Sequence, residues 1–547
     1  MKRVIIVLVL LFGIAIINIP AQEALKSAEE EYYDFLALQG LTERPYLNYR
    51  TLSDSAWDIP EGVAHPWQGQ NLGTTRKLFG DVTMRIYGPE LFMSGNTTAP
   101  YGQNDGALWQ GRGFNTSLTG GVRLEGYGVE LTYKPQLAFS QNWAFDIMTP
   151  EGMTGANFAD KARDYGYFWG TVDAPQRFGD DPGFAYDWGD SEVRYTWKTL
   201  TAGFGTQAIW LGPAYLNPIL HSNNAPTYPK FDIGLRKQRI VIPKVNWYLG
   251  DVEARIWVGY LSESDYFDND GSNDHNMFHG LSLAYSPPGV LSGLTLSVNR
   301  VCIVPWEWEN LKYIWPINDN TIEDQKASFA LSWLFPQIGF EIFGELGIDD
   351  YVSSSVGWLR HPFHSTVYTI GLKKMIPIVP NRQIYSELIF ESNWMEMTQD
   401  FQFQWPYSFY YHGLIRQGYT NKGQWIGNAS SPGGNSQYLA FKLYYPKGIS
   451  SLFISRNNPD NNYLYAKAIN ASAGPDNLDQ YHASYWANFL IGITTSYFIT
   501  PSLMVSGGFV YDFIINPRYE RVLVNGVDAD NTYDHNFSLQ IALKWTL

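Results

Sequence analysis

The sequence predicts an all-β protein, a transmembrane antiparallel barrel of about 18 strands with short periplasmic turns and long extracellular loops. Three observations predict it. From Phe79 onward, apolar and polar residues alternate with a period of two, as in strands that face lipid on one side and an aqueous lumen on the other. Aromatic residues crowd the ends of these segments, as in interfacial girdles. The connections alternate between eight short turns and nine long loops, which together join 18 strands.

The first 21 residues read as a secretory signal peptide. Lys2 and Arg3 precede an apolar run, and Ala21 ends a short, weakly polar cleavage region. An uncleaved membrane anchor is the alternative, but the run from Val4 to Ile17 is short for crossing a bilayer. No later apolar run reaches 18 residues, so a helical membrane protein is not expected.

Composition narrows the choice of partners. More than 500 residues follow the signal, enough for several soluble domains or one very large barrel. The net charge of −15, with no basic cluster to offset it, argues against nucleic acid as a partner. The single cysteine, Cys302, rules out an intramolecular disulfide framework and lies in an apolar run, where a buried, inert thiol is expected.

Residues 22–75 are expected to form an N-terminal periplasmic extension or a plug for the barrel. Within them, residues 23–39 predict one short helix, because apolar residues recur at spacings of three and four. These residues are Leu25, Ala28, Tyr32, Phe35 and Leu36. The segment is too small to bury a core of its own, so it is expected to rest against something larger.

Residues 76–547 are the predicted barrel. The C-terminal strand shows the alternation most clearly, with Phe537, Leu539, Ile541, Leu543 and Trp545 on one face. Residues 192–198, 340–349 and 489–499 repeat the pattern. A soluble sandwich would also alternate, with its apolar face inward. The signal peptide, the aromatic segment ends and the alternating connections favour the barrel in the outer membrane of a diderm bacterium.

The turns and loops can be placed along the chain. Short turns are predicted near Gly126, Lys198, Gly250, Pro287, Pro336, Pro377, Pro446 and Pro501. Long loops are predicted at 95–114, 142–189, 211–228, 264–277, 303–324, 349–362, 396–434, 457–484 and 515–532. Pro243 is expected to bend one strand over residues 229–249. An even strand number places both chain ends on the periplasmic side.

One proline-rich stretch, Trp210 to Phe231, predicts a shaped loop. Its structural motif consists of Trp210, Gly212, Pro213 and Pro226. The amides of Asn223 and Asn224 could either cap backbone groups locally or donate to a ligand. A rigid turn that satisfies its own backbone is the simpler interpretation.

Several stretches together resemble the Wzi-type capsule assembly proteins of diderm bacteria. They are Pro100 to Gly113, Trp210 to Pro213 with His221 to Pro226, Phe340 to Asp350, and Gly418 to Gly427 followed by Gly433 to Gln437. The resemblance implies an outer-membrane β-barrel lectin that holds capsular or related surface polysaccharide at the cell surface. The best-known members carry a larger periplasmic helical bundle before the barrel, where this chain has only residues 22–75.

Catalysis, a cofactor and a bound metal are not expected, because the common catalytic and metal-binding motifs are missing. Glu341, Glu345, Asp349 and Glu387 fall on the predicted lumen face. Glu345, Asp349 and Asp350 could supply a pair of acids for glycoside hydrolysis, but a hydrated network of the lumen carboxylates with basic residues across the lumen is the preferred interpretation. The loop from Asp265 to Asp274 resembles a calcium loop in ligand type but lacks its spacing, so a solvated acidic loop is expected.

The aromatic, polar loops carry the binding hypothesis. Trp405, Tyr410, Tyr411 and Trp425 are expected to stack on sugar rings, while Asn223, Asn224 and Arg416 bond hydroxyls or acidic groups. Residues 211–228 and 401–425 would then form one outward-facing or lumen-closing surface. Trp306, Trp308 and Trp315 add rings in another loop, where membrane anchoring is the alternative.

Two other functions remain open at this point. A porin-like channel for small solutes or oligosaccharides needs an open lumen, and a weaker alternative is an enzyme acting on glycans or lipids. The expected partners are surface polysaccharide, outer-membrane lipid and, during biogenesis, the barrel assembly machinery.

Overall fold

The computed structural model describes residues 28–51, 57–73, 75–153, 157–315, 322–349, 359, 362–398, 408–470, 484–520 and 532–547. The predicted signal peptide and the start of the predicted N-terminal helix lie outside the described residues. Three α-helices are present in the described part, α1 (Ala28–Leu38), α2 (Asp160–Tyr165) and α3 (Asn462–Asn470). Among the described residues no helix is both long and apolar enough to cross a membrane.

The strands, in chain order, are β1 (Tyr49–Arg50), β2 (Thr75–Phe79), β3 (Val82–Asn96), β4 (Gly113–Gly126), β5 (Val129–Tyr133), β6 (Gln136–Ser140), β7 (Gly183–Asp187), β8 (Glu192–Trp197), β9 (Leu200–Gly205), β10 (Trp210–Leu211), β11 (Lys230–Ile242), β12 (Trp247–Ser262), β13 (His275–Ser286), β14 (Leu294–Pro305), β15 (Asp324–Phe335), β16 (Phe340–Asp349), β17 (Thr366–Val379), β18 (Ile384–Trp394), β19 (Thr420–Asn421), β20 (Gln424–Trp425), β21 (Asn435–Tyr445), β22 (Gly448–Asn458), β23 (Ala487–Thr500), β24 (Leu503–Ile515) and β25 (Tyr533–Trp545).

The described residues form a closed antiparallel barrel of 18 strands, which confirms the predicted fold. The last strand, β25, pairs with β3 and closes the ring, with Leu543 opposite Leu91. Strand β2 occupies the periplasmic end of the same edge of β3. Two of the 18 positions are each built from two pieces, β5 with β6 and β7 with β8. Pro135 separates the first two pieces because it has no N–H to donate to the ladder.

The exterior of the barrel is apolar and its interior is polar. On β25, Phe537 and Leu539 are 42% and 50% exposed, whereas Ser538 and Gln540 between them are buried. The same phase recurs around the ring, as at Ile233 on β11 and Ile491 on β23, both of which point outward. A continuous apolar belt of this kind is stable in lipid and not in water. The protein is therefore an outer-membrane barrel.

The turn between β11 and β12 corrects one expectation. Residues 229–249 do not form one bent strand, because a turn at residues 243–246 divides them. Pro243 ends β11, and Asn246 takes the positive φ of 48° that the turn requires. The turn predicted at Gly250 is wrong as well, since Gly250 lies inside β12, beside a register shift opposite Ile240.

The described part of the N-terminal extension lies inside the barrel. The first turn of helix α1 carries three glutamates, which suit the positive end of a helix, and the helix ends at Leu38, two residues before Gly40 with its φ of +74°. Its apolar face packs on the barrel wall, where the Phe35 ring stacks on Tyr444 at 3.8 Å between ring centroids. Tyr32 stacks on Trp67 at 4.0 Å, which ties the end of the extension to its helix.

Candidate functional site

Charged side chains fasten the extension to the lumen wall. Arg44 donates to both carboxylate oxygens of Glu341 at 2.7 Å each, and it also reaches Asp34 of α1 at 2.8 Å. Lys373 contacts the same two carboxylates. Burial alone would raise the pKa of Asp34, but Arg44 and Lys373 lower it below its ordinary value. The extension and the wall therefore share one buried network of charges.

Two lumen glutamates hold inserted backbone instead of cations. Glu391 on β18 accepts hydrogen bonds from the N–H groups of Tyr215 at 2.6 Å and Asn217 at 2.8 Å. Glu345 on β16 accepts one from Ile219 at 3.1 Å. Residues 206–229 therefore fold into the lumen, where charge-assisted hydrogen bonds fix them.

The inserted loop and the extension meet in the barrel interior. Strand β1 of the extension pairs antiparallel with β10 of the loop, with Tyr49 opposite Leu211. On the extension side, Glu253 accepts hydrogen bonds from the N–H groups of Asn48 at 2.9 Å and Tyr49 at 2.7 Å. Glu253 therefore anchors the extension at β1, and Glu391 anchors the inserted loop a few residues after β10.

The other two predicted lumen carboxylates also point inward. Asp349 lies 3.6 Å from Lys326 on the adjacent strand, and Glu387 accepts a hydrogen bond from the Tyr444 hydroxyl at 3.0 Å. The basic partners of Glu341 and Asp349 stand on neighbouring strands or on the extension. The expectation of partners across the lumen was wrong, because inserted segments fill the space between opposite walls.

The two asparagines of the proline-rich loop bond to protein backbone. The Asn223 amide donates to the Asn104 carbonyl at 3.2 Å, and the Asn224 amide donates to the Trp425 carbonyl at 3.1 Å. Both side chains are more than nine-tenths buried. The amides therefore bond backbone carbonyls, but not locally as expected, because their acceptors lie 119 and 201 residues away in the sequence. The two asparagines thereby tie three loops together.

The four residues of the structural motif, Trp210, Gly212, Pro213 and Pro226, help to fix the conformation of the same loop. Trp210 donates from its indole to the Ala214 carbonyl at 3.0 Å, and the Pro226 carbonyl accepts from the Asn421 amide at 2.9 Å. Gly212 has a φ of +88°, and a Cβ there would lie 3.1 Å from the Glu345 carboxylate. Pro213 lines the cavity beneath the loop.

The aromatic residues at 408–425 lie in the core of an outer cap, which we define as the described residues of the loops that follow β6, β12, β18, β22 and β24. Tyr410 is fully buried, stacks on Tyr419 at 5.2 Å and on Trp425 at 5.6 Å, and donates its hydroxyl to the Ile219 carbonyl. Trp425 is 8% exposed. These two rings contact protein, so the expectation that they stack directly on sugar does not fit this arrangement.

The remaining candidates of this loop are placed differently. Tyr411 is half-buried, with its hydroxyl 3.4 Å from Asp460, and Arg416 is exposed. Lys422, on the same loop, is exposed as well. Trp405 lies outside the described residues.

Asp460 joins the loops of the cap and was missed from the sequence. Its carboxylate accepts from the Trp169 indole at 2.7 Å and the Tyr167 hydroxyl at 2.9 Å, so it links the loop that carries these two rings to the residues just before α3. Burial raises its pKa to about 6, although these donors lower it in part. A lone Asp in a long loop offered no pattern by which to find it.

The acidic loop after β12 gathers carboxylates. Glu263, Asp268 and Asp274 bring ligand oxygens within 4.8 Å of one another. Burial and the neighbouring carboxylates, Asp268 first among them, raise the pKa of Glu263 to about 9. The loop is therefore less solvated at Glu263 than the sequence suggested.

The tryptophans of the loop after β14 stand at the outer rim. Trp308 is 87% exposed and Trp315 is 68% exposed. Trp306 contacts the edge of Tyr260, which projects from the outer face of β12, at 4.7 Å between ring centroids. For Trp306 this position matches an interfacial girdle.

Comparison with known proteins agrees with the resemblance found in the sequence. Residues 157–305 match the family model described as capsule assembly protein Wzi, which confirms that resemblance. No curated protein matches the chain.

Solved structures show the fold. The Wzi barrel of Escherichia coli is 13% identical to this chain, with 84% of each chain covered and a TM-score of 0.53. That protein is described as an outer membrane protein involved in group 1 capsule assembly and as a carbohydrate-binding β-barrel. OccAB1 of Acinetobacter baumannii is 10% identical over 84% of this chain and 96% of its own, with a TM-score of 0.36. OccD3 of Pseudomonas aeruginosa is 9% identical over 89% of this chain and 95% of its own, with a TM-score of 0.38.

Proposed function

We propose that this Wzi-like barrel binds a capsular or related surface polysaccharide on the outer face of its cap and supports capsule assembly or attachment at the cell surface. The match of residues 157–305 to the capsule assembly family carries the proposal. The matched segment includes the inserted loop, which is one of the two segments that fill the lumen.

The geometry supports polysaccharide binding in preference to the diffusion of solutes through an open lumen. The extension enters the lumen from the periplasmic side and pairs with the loop that enters from outside, as Arg50 opposite Trp210 shows. A general porin needs a water-filled lumen through its full height. A barrel filled in this way instead offers a rigid outer surface, so a polymer could bind with little ordering cost.

The outer surface supplies groups suited to a polymer. Arg416 and Lys422 are exposed on the 408–425 loop, and Tyr411 beside them is half-buried. Cationic and amide donors bond hydroxyls and acidic groups, while the face of an aromatic ring packs on the C–H face of a sugar. Tyr410, Trp425, Asn223 and Asn224 would act indirectly, by holding this surface in shape.

The remaining parts of the proposal concern chemistry and partners. We place binding, not catalysis, at this surface, with lipid around the apolar belt and the barrel assembly machinery acting during biogenesis. Individual contacts at an exposed surface are weak, so affinity would come from several repeats along the polymer.

A complementation experiment tests the proposal. A strain lacking the protein would receive the wild type, the double variant Arg416→Ala/Lys422→Ala, or the control Arg76→Ala/Lys244→Ala. The control removes the same two types of exposed cation from the periplasmic side. We expect the cap variant to retain several-fold less polysaccharide on the cell surface at equal barrel levels, while the control retains it normally. Equal retention in all three strains would refute the proposed surface.

A further inference from the structure

A cavity of about 330 Å³ runs along the inner face of strands β21–β25, between the wall and the inserted loop. Its lining begins near the periplasmic turns, at Ser451 and Ser496, and reaches the outer strand ends at Asn457 and Asn488. The volume lies in the range of small-molecule sites. We call this cavity the lumen slot.

The lumen slot is lined by hydroxyl, amide and aromatic groups. Inward-facing side chains of β23 and β24 contribute Thr494, Ser496 and Ser506. Phe453 lies flat across Gly492 of the next strand, where a Cβ would come within 2.3 Å of the ring. On the wall, Tyr438 of β21 stacks on Tyr215 of the inserted loop opposite, with 5.9 Å between ring centroids. The slot therefore combines polar edges with ring faces.

Four acceptors in this lining receive no hydrogen bond from the described residues. They are the Oδ1 atoms of Asn457, Asn488 and Asp512 and the Oε1 atom of Gln540. Asp512 and Gln540 are 5% and 2% exposed, so both are more than nine-tenths buried. A buried acceptor without a donor is costly. A ligand with many hydrogen-bond donors would therefore suit the lumen slot.

The orientation of the amides sharpens this requirement. Asn488 turns its Nδ2 toward Asp512 Oδ2 at 2.7 Å, and Asn457 turns its Nδ2 toward the Ser430 carbonyl at 3.0 Å. Both side-chain amides therefore donate to protein, while their Oδ1 atoms accept no hydrogen bond from the described residues. A guest with many hydroxyl groups supplies the missing donors, and each hydroxyl still accepts from the serines and threonines nearby.

Charge excludes an anionic guest. The basic side chain among the described lining residues is Lys442, and it is engaged by Glu31 at 2.7 Å and by the Tyr215 hydroxyl at 2.6 Å. Asp105 and Asp512 add carboxylates to the same lining. An anionic sugar would face these carboxylates without a free cation to offset them.

We propose that the lumen slot binds a neutral oligosaccharide in an extended conformation. Hydroxyl groups donate to Asn457, Asn488, Asp512 and Gln540, and sugar rings pack against Phe453 and Tyr438. This site lies inside the barrel and is separate from the proposed polysaccharide surface on the cap, so either can fail without the other.

Calorimetric titration of the full-length protein in detergent tests the site. The probes are maltohexaose and xylohexaose, with hexagalacturonate as the anionic comparator. The variant Thr494→Trp places a large ring in the slot. Its matched control, Thr295→Trp, fills the separate cavity of about 450 Å³ at the periplasmic end, which Thr295 lines. Heat-modifiable migration on gels verifies that each variant is a folded barrel.

We expect wild type and Thr295→Trp to bind at least one neutral hexasaccharide with equal affinity, and Thr494→Trp to bind it at least tenfold more weakly. Gln540→Met, which keeps the side-chain length but removes the acceptor, should weaken binding about fivefold. The proposal is overturned if wild type binds neither neutral probe, if Thr494→Trp binds as wild type does, or if hexagalacturonate binds as tightly as the neutral probes. Surface retention of polysaccharide by Thr494→Trp, measured in cells, reports on the cap separately.

Discussion

Several single carboxylates inside the barrel anchor inserted backbone. Glu391 and Glu253 each accept hydrogen bonds from consecutive N–H groups of a segment that enters the lumen. Barrel alternation predicted correctly that the interior would be polar, because strand phase is a local property. It did not predict which group each carboxylate contacts, because Glu391 and Tyr215 are 176 residues apart in sequence.

Removing one anchor should loosen the inserted loop. In Glu391→Ala, the N–H groups of Tyr215, Leu216 and Asn217 lose their acceptor, and each unsatisfied buried group costs about 1–3 kcal/mol. We expect hydrogen exchange to accelerate at residues 215–219 while the barrel strands keep their protection. Ser392→Ala, on the neighbouring position of β18, is the control. Unchanged exchange at 215–219 in Glu391→Ala would show that the anchor is dispensable.

A second residue predicts a pH dependence of the outer cap. The folded pKa of Glu263, about 9, lies above its ordinary value of 4.5, so the folded loop holds a proton that the unfolded loop releases. Stability of the loop therefore rises as the pH falls from about 9 toward 4.5, and it is lowest above pH 9. We expect stronger protection of residues 263–274 at pH 7 than at pH 9.5, after correction for chemical exchange. Glu263→Gln should abolish that difference, and a persistent difference would assign it to another group.

At the scale of elements, the extension and the proline-rich loop act as one unit. The sequence predicted a helix in the extension and a shaped loop at 211–228, since spacing and prolines are local signals. It left open whether the two point into the lumen. That outcome depends on pairing between β1 and β10, a two-residue ladder joining positions 49–50 and 210–211, which no periodicity reveals. The same limit explains Tyr410 and Trp425, which were expected to face ligand and instead form the core of the cap.

The charge network around Arg44 should control whether the extension stays in place. Arg44→Ala removes the arginine that pairs with both Glu341 and Asp34 and leaves Lys373 in contact with the two carboxylates, and breaking a buried ion pair typically costs about 3–5 kcal/mol. We expect faster proteolysis within residues 39–51 of the purified barrel, which otherwise keeps its heat-modifiable migration. Arg76→Ala, an exposed arginine of β2, serves as the control. Equal proteolysis of the two variants would argue that apolar packing of α1 alone retains the extension.

At the scale of the whole molecule, the barrel is filled from both ends and covered by a packed outer cap. The strand number was predictable because eight short turns and nine long loops leave a clear rhythm in the sequence. The cap was not, because its aromatic core joins residues from loops far apart in the sequence, including Phe168, Phe267, Tyr410, Tyr463 and Tyr519. This core packs the outer loops against one another.

The most direct test of that account is polysaccharide binding by the full-length protein in liposomes, with the long loops facing outward. The ligand is the surface polysaccharide purified from the bacterium that makes the protein. We predict saturable binding that falls at least fivefold in Arg416→Ala/Lys422→Ala and stays unchanged in Arg76→Ala/Lys244→Ala. If the wild type shows no saturable binding, or if the cap variant binds as tightly as the wild type, the assignment of polysaccharide binding to the outer cap is contradicted.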